Sequence, residues 1–474
     1  MKKISLHNQI FIAMIGGLIV GLGMNMFVAP DNVIAEHAIW WMDLIGRDIF
    51  IGGLKMIIAP LVLASIVTGI TTLPRAEALG QIGGKMALYY VGTTSVAVII
   101  GVSLILLIQP GKRDASQEVR AQREAELEQR REAFETSTGL DPTAAENRSQ
   151  YLEYLAQEDG ATASSSSATH FQRMQETEGV GLGTLIKKQL LTPMLTNPFS
   201  SLANANTLGI IFFSVLIGLA CLVLGETAAP VVKLFSAMNE IIMKITLWIM
   251  MLSPVAIACL MGSTMATLGF DALASLGWYS MTIVLALLIH SVFIVSIVSF
   301  LARIKPMFFL RGIRDAWMVA FSTASSAATL PVTLHCVTEK LEVSDEVADF
   351  SLPVGATVNM DGSALHEAVA IMFLIQVYGG LDDVSVVLTF ANTVIIAVTA
   401  VIASAGVAAI PSAGLVAMAI IANAVGLPLH YIFMVLAVDR ILDMCRTATN
   451  VMGDAAGAVV VNFWEKQRQA RVAD

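Results

Sequence analysis

Apolar runs long enough to cross a bilayer recur along almost the whole chain, near residues 8–28, 48–72, 84–109, 183–224 (broken into pieces), 229–260, 275–302, 345–377 and 428–463. A helix needs about 20 apolar residues to span some 30 Å of hydrocarbon. Backbone groups in that layer must satisfy one another, which points to helices. With 56% of 474 residues hydrophobic and only 14% charged, the expected class is an all-α polytopic membrane protein rather than a large soluble core. Nothing in the charge pattern marks a nucleic-acid surface. Eight crossings place both termini on one side. Lys2, Lys3, Arg75, Lys85, Arg303, Lys305, Arg311, Arg314, Lys466, Arg468 and Arg471 all fall on that side, which the positive-inside rule makes cytoplasmic. The first run, after Lys2 and Lys3, reads as a retained span because no small-residue cleavage site follows a short apolar core. Cys221, Cys259, Cys336 and Cys445 lie in apolar segments at no metal-ligand spacing.

Two stretches, 306–341 and 384–426, do not fit as simple spans. In each, apolar arms too short to cross flank a small-residue tip: Ser322-Thr323-Ala324-Ser325-Ser326-Ala327-Ala328 before Pro331, and Ala408-Ala409-Ile410-Pro411-Ser412-Ala413-Gly414. Re-entrant hairpins are the economical reading, with their non-helical tips covered by protein or lining a watery cavity. Each hairpin precedes one half of a weak internal echo, Thr357-Val358-Asn359-Met360-Asp361-Gly362 and Thr449-Asn450-Val451-Met452-Gly453-Asp454. Paired interrupted segments of this kind point to a transporter site built from inverted repeats.

Residues 111–178 are of another kind, with 8 basic and 14 acidic side chains. Glu118 to Glu135 suits a solvated helix with i,i+4 pairs, Asp141-Pro142-Thr143 restarts a helix, and Ser164 to Ser167 reads as a linker. The expectation is an uncommitted excursion outside the membrane, on the same external face as Asp382 and Asp383.

The last apolar run carries the sharpest functional signal. At about 100° per residue, Asp439, Asp443, Arg446, Thr447, Asn450 and Asp454 fall at roughly 0, 40, −20, 80, 20 and 60°, a single face. A charge at mid-bilayer costs about 2.5–3.5 kcal/mol even on lenient scales, so such a stripe faces protein or an ion path. Three acids beside one arginine leave surplus negative charge for something cationic to neutralise.

Taken in order, Ala328-Thr329-Leu330-Pro331, Asn359-Met360-Asp361-Gly362-Ser363, Ile410-Pro411-Ser412-Ala413-Gly414, Asp443-Met444-Cys445-Arg446-Thr447 and Asn450-Val451-Met452-Gly453-Asp454 resemble the motifs of the glutamate transporter family of dicarboxylate/amino acid:cation symporters, in a prokaryotic-type form. The similarity covers about 5–110 and 180–465. It implies eight transmembrane helices plus two re-entrant helical hairpins, a homotrimer in the cell membrane, and an elevator in which a transport domain slides against a scaffold. It divides the chain into scaffold helices 1–2 with transport helix 3 (1–110), the external insertion (111–180), scaffold helices 4–5 (181–270), the transport core (271–465) and a cytoplasmic tail (466–474).

The resemblance assigns Asp443 to the substrate ammonium and Arg446 to its side-chain carboxylate, chemistry that a fixed anion and a planar guanidinium can perform. Ser325, Ser326 and Asn450 would hold the α-carboxylate with Ser363 and Thr447 nearby, and Ile410 and Pro411 would form the outer gate. It implies co-transported sodium and no organic cofactor. One sodium site would use Asp454, Asn450 and Gly355; a second Asp361, Asn359, Thr93, Thr94 and Tyr90; a third carbonyls near Thr357, Ser404, Ala405 and Val407. Glu367, with His366 as its neighbour, matches the acidic residue tied to proton and potassium countertransport in animal members. Departures are Ala324 in the first tip, Ala409 and Ser412 in the second, and Met444.

The favoured function is therefore sodium-driven uptake of aspartate or glutamate, with a cystine or neutral amino acid carrier of the same family as the nearest alternative. A C4-dicarboxylate without an amine would be repelled by Asp443. A channel suits the two covered tips less well. An intramembrane aspartyl protease needs two carboxylates sharing a proton, which Arg446 on the same face opposes.

Overall fold

A computed structural model describes residues 6–28, 33–71, 84–142, 144, 147–158, 192–203, 207–384, 386–406 and 414–473. Among them there are helices and turns but no strand. Helices α1 (Leu6–Phe27), α2 (Val33–Asp43), α3 (Gly52–Thr71) and α4 (Gly84–Ile108) come first, α2 and α3 being joined by a π-helical stretch, Leu44–Ile51. The insertion supplies α5 (Asp114–Thr138) and α6 (Arg148–Glu158). Then follow α7 (Thr207–Leu224), α8 (Ala229–Met250) and the long α9 (Ser253–Leu301). Gly84–Lys112, Phe212–Ile242, Leu273–Leu301 and Ser351–Tyr378 are long and apolar enough to cross a membrane. Leu88, Val91, Ile99, Leu107, Val292 and Phe300 are exposed along these helices, an apolar belt suited to lipid.

The run read as one span over 229–260 is two helices. It breaks at Met251–Leu252, and Pro254 sits in the first turn of α9, where its missing N–H costs no intrahelical bond. Hydropathy cannot register such an end, since the residues on both sides are apolar. The 49 residues of α9 are in turn kinked at Gly269 (φ 64°, ψ −149°). The kink is served from α1, where Asn25 Nδ2 donates to the Ala266 carbonyl at 2.9 Å. Below it α1 and α9 pack backbone to backbone: a Cβ on Gly21 would lie 2.7 Å from Met265 Cβ, so small residues set the approach.

The first hairpin forms as a helix, a sharp tip and a returning helix, α10 (Pro306–Thr323) and α11 (Ser326–His335). Ala324 turns the chain with φ 49°, and Ser325 caps α11 by accepting from Ala328 N at 3.2 Å. The second hairpin has its two arms, α14 (Phe390–Gly406) and α15 (Gly414–Val425), packed together. Its tip, with Val407, Ile410 and Pro411, lies outside the described residues, as does the Ser164–Ser167 linker.

The run 345–377 is likewise not continuous. Helix α12 (Asp345–Val358) ends, Asn359 (φ −86°, ψ 86°) and Met360 (φ −114°, ψ 47°) are non-helical, and α13 (Asp361–Tyr378) begins. Every residue of α13 from Ala364 on is buried, so this helix is the axis of the core. The chain closes with α16 (Ile432–Ala473), which runs through most of the segment read as a tail.

The insertion is docked, contrary to expectation. Val119, Leu127 and Phe134 on α5 are buried with Tyr151 and Leu155 of α6. Arg123 Nη2 lies 3.0 Å from Asp383, Arg131 pairs with Asp382, and Arg120 Nη1 donates to the carbonyls of Val377 (3.0 Å) and Gly379 (2.9 Å). Its charges are spaced for a solvated face, but Arg120, Arg123, Arg131 and Arg148 meet a turn more than 200 residues away, which local periodicity cannot reveal. Burial tends to raise the Asp383 carboxyl, yet the nearby His430 and the Arg123 guanidinium outweigh it and hold that group well below the usual carboxylate range.

Candidate functional site

The unwound step between α12 and α13 frees the Asn359 side chain to meet α16. Its Nδ2 donates to Asp454 Oδ1 at 2.9 Å and reaches the Asn450 carbonyl at 3.4 Å, while its Oδ1 is buried without a partner among the described residues. The two echoed motifs therefore face each other. Gly362 N also donates to Asn450 Oδ1 at 2.8 Å, and a Cβ on Gly453 would lie 2.7 Å from Asn359 Nδ2.

Tyr90, Thr93 and Thr94 share one face of α4 and point into this junction. Asp361 Oδ1 accepts from Thr94 (2.5 Å) and Thr93 (3.3 Å), and its Oδ2 lies 3.1 Å from His290 Nε2 on α9. Gly355 completes the other side, where a Cβ would stand 2.6 Å from Tyr90 Oη and 2.8 Å from Asp454 Oδ1. The residues of the first two expected sodium sites are thus drawn into one buried oxygen-rich cluster, except that the Asn450 side chain turns to Gly362, Ser363 Oγ (3.2 Å) and Met360 Sδ (3.3 Å). Of the third set, Thr357 is exposed and its hydroxyl bonds within its own helix to the Pro353 and Val354 carbonyls, Ser404 bonds likewise to Val401 O, Ala405 lies in α14, which packs against α12, and Val407 lies outside the described residues.

Toward the other end of the stripe, Arg446 Nε donates to Asp443 Oδ1 at 2.8 Å, and its Nη1 lies 3.1 Å from His366 Nδ1 and 3.9 Å from Glu367 Oε1. Glu367 Oε2 is buried with no hydrogen-bond partner among the described residues. The guanidinium lies against Gly414 at the start of α15, where a side chain would collide with it. Thr447 is buried beside it on α16; Ser326 is buried at the start of α11, and Ser325 and Ser363 are half-buried.

Sequence reasoning counted one arginine on this face and missed Arg440. Arg440 stands about 100° from Asp439, off the arc, but its long side chain brings Nη1 to 3.3 Å from Asp443 Oδ2. Its i,i+3 spacing to Asp443 was the signal available. His290, an ionisable residue alone in an apolar span, was the other. Even with Arg440 counted, five buried acids (Asp361, Glu367, Asp439, Asp443 and Asp454) face two arginines, and neither Asp361 nor Asp454 has a lysine or arginine partner among the described residues.

A family model described as "Sodium:dicarboxylate symporter family" matches residues 6–464. Over 451 residues the chain is 37% identical to excitatory amino acid transporter 2 of Homo sapiens, covering 88% of this chain and 72% of that protein. An excitatory amino acid transporter of Caenorhabditis elegans is 36% identical over 420 residues (87% and 79%), and excitatory amino acid transporter 3 of Oryctolagus cuniculus 32% identical over 492 (98% and 87%).

Proposed function

Because the chain belongs to the sodium:dicarboxylate symporter family, we propose that it is a secondary transporter coupling sodium entry to uptake of an acidic amino acid, aspartate or glutamate. The observation that carries this reading is the buried pair Asp443 and Arg446, 2.8 Å apart. An amino acid with a second carboxylate brings one ammonium and one carboxylate that can each replace the partner these residues find in one another. A dicarboxylate lacking an amine would leave Asp443 facing like charge.

Asp361 and Asp454 are the cation ligands on this reading. Sodium suits carboxylate, hydroxyl and carbonyl oxygens, and Asn359 Oδ1, buried without a partner among the described residues, supplies one more. Asn450, Ser325, Ser326, Ser363 and Thr447 line the substrate, Ile410 and Pro411 gate it, and Thr357, Ser404, Ala405 and Val407 offer a further cation site. Glu367, whose Oε2 has no hydrogen-bond partner among the described residues, is the candidate proton carrier. The protein works as a homotrimer in the cell membrane with eight crossings and both termini cytoplasmic, residues 271–465 moving with helix 3 as the elevator. In proteoliposomes, with sodium, proton and potassium gradients imposed separately, radiolabelled aspartate or glutamate should accumulate in preference to cystine and only when sodium is present. Uptake unchanged when choline replaces sodium would remove the reading.

A further inference from the structure

We propose that His366 is a positioning residue that holds the Arg446 guanidinium in the orientation that reads a substrate side-chain carboxylate, and so sets the preference for acidic over neutral amino acids; this rests on the acidic amino acid symport reading above. His366 is fully buried on α13, and both ring nitrogens are engaged. Nδ1 lies 3.1 Å from Arg446 Nη1, and Nε2 lies 3.0 Å from Tyr279 Oη on α9. Arginine has only donors, so Nδ1 accepts, the ring is the neutral tautomer with its proton on Nε2, and Tyr279 Oη accepts that proton's hydrogen bond. Tyr279 is itself fixed, stacked on Phe373 with ring centroids 4.8 Å apart.

The guanidinium is thereby pinned at two points, Nε by Asp443 and Nη1 by His366, which stops rotation in its own plane. Among the described residues, three of its five N–H groups have no hydrogen-bond partner, enough for a two-point grip on a carboxylate. The chemistry of the second anchor matters. A third close carboxylate would orient the guanidinium and also cancel its charge, whereas a neutral imidazole acceptor orients it and leaves the charge to the substrate. Recognition that depends on a preset guanidinium loses affinity when that group can swing, because the ordering must then be supplied on binding. Neutral amino acids make no use of the fork and should be indifferent to it.

The test is uptake of aspartate and of serine under a sodium gradient into proteoliposomes holding the wild type, His366→Phe, His366→Asn or Tyr279→Phe. His366→Phe keeps a planar ring but removes the acceptor, and should raise the aspartate KM about tenfold or more while the serine KM stays within about twofold. His366→Asn offers an amide oxygen near the place of Nδ1 and should recover most of the aspartate affinity. Tyr279→Phe should shift the aspartate KM in the same direction by a smaller factor, and it carries the test should His366→Phe fail to reach the membrane. An unchanged ratio of aspartate to serine KM in His366→Phe, or in Tyr279→Phe where that variant stands in, overturns the positioning role, as does an Asn variant no better than Phe. A wild type that takes up aspartate while the variants keep its ratio sinks this role alone; a wild type with no sodium-driven aspartate uptake sinks the functional reading and this role with it.

Discussion

Asn359 and Asp454 are joined across 95 positions of sequence, the amide Nδ2 of one standing 2.9 Å from the carboxylate Oδ1 of the other. Through them the break between α12 and α13 is tied to α16, and Asp361, two residues on, ties the same break to α4 and α9. A cation accepted here touches several helices at once, so loss of a single ligand should be felt in both binding and stability.

Asp454→Asn removes one full charge from that cluster. Two unit charges 4 Å apart interact by about 4 kcal/mol at an effective dielectric of 20, so the sodium concentration for half-maximal uptake should rise about tenfold or more. Sodium-dependent thermal stabilisation of the purified protein should shrink in parallel, since a ligand stabilises through the occupancy it achieves. Sodium titrations indistinguishable from wild type would exclude Asp454 as a ligand.

Gly355→Ala places a methyl 2.6 Å from Tyr90 Oη and 2.8 Å from Asp454 Oδ1, closer than real Cβ contacts allow. Overpacking of this kind costs about 1–3 kcal/mol. The expected result is weakened sodium dependence with substrate selectivity among amino acids retained; an unaltered sodium half-saturation would separate Gly355 from the site.

Arg446→Ala should abolish acidic substrate uptake and shift the preference to neutral amino acids. Stripping one partner from a buried ion pair costs about 3–5 kcal/mol, which at the substrate subsite is on the order of a hundredfold or more in affinity. Uptake of radiolabelled aspartate and, separately, of radiolabelled serine measures it, and wild-type aspartate uptake would rule out the assigned role.

Glu367→Gln keeps the shape of the side chain and removes its ability to exchange a proton. If Glu367 carries one, the pH profile of uptake flattens while aspartate KM changes by less than about threefold. A superimposable profile leaves Glu367 as a structural hydrogen-bonding group.

The docking of the insertion has a definite pH sign. Asp383 is held below its ordinary range, so its contribution is complete above the unfolded carboxyl value of about 3.9 and is lost only as pH falls through the depressed folded value. Hydrogen exchange over 114–158 should therefore stay protected at mildly acidic pH, and Asp383→Asn should raise it at every pH by removing a partner of Arg123 and Tyr431. Rapid exchange in the wild type at pH 5 would contradict this.

The sequence spoke clearly wherever a local rule sufficed. The small-residue tip around Ala324 does form a helical hairpin, and the stripe from Asp443 to Asp454 does face inward, because periodicity and depth determine both. It was silent where the deciding contact was remote. The helix end at Leu252 is hidden among apolar neighbours, the break at Asn359 is sustained by a carboxylate 95 residues on, and the insertion's arginines find Asp382 and Asp383 only in three dimensions. Arg440 escaped for a different reason: an angular plot tracks the root of a side chain, not where a long one ends.

The two-point anchoring of Arg446 also bears on the half of the cycle that no substrate rides. A lone guanidinium in hydrocarbon would be severely penalised, but here its partners sit on α13 and α16, which the proposed elevator would move together. On that proposal an unloaded carrier resets without exposing a naked cation, and turnover need not stall on the homeward stroke.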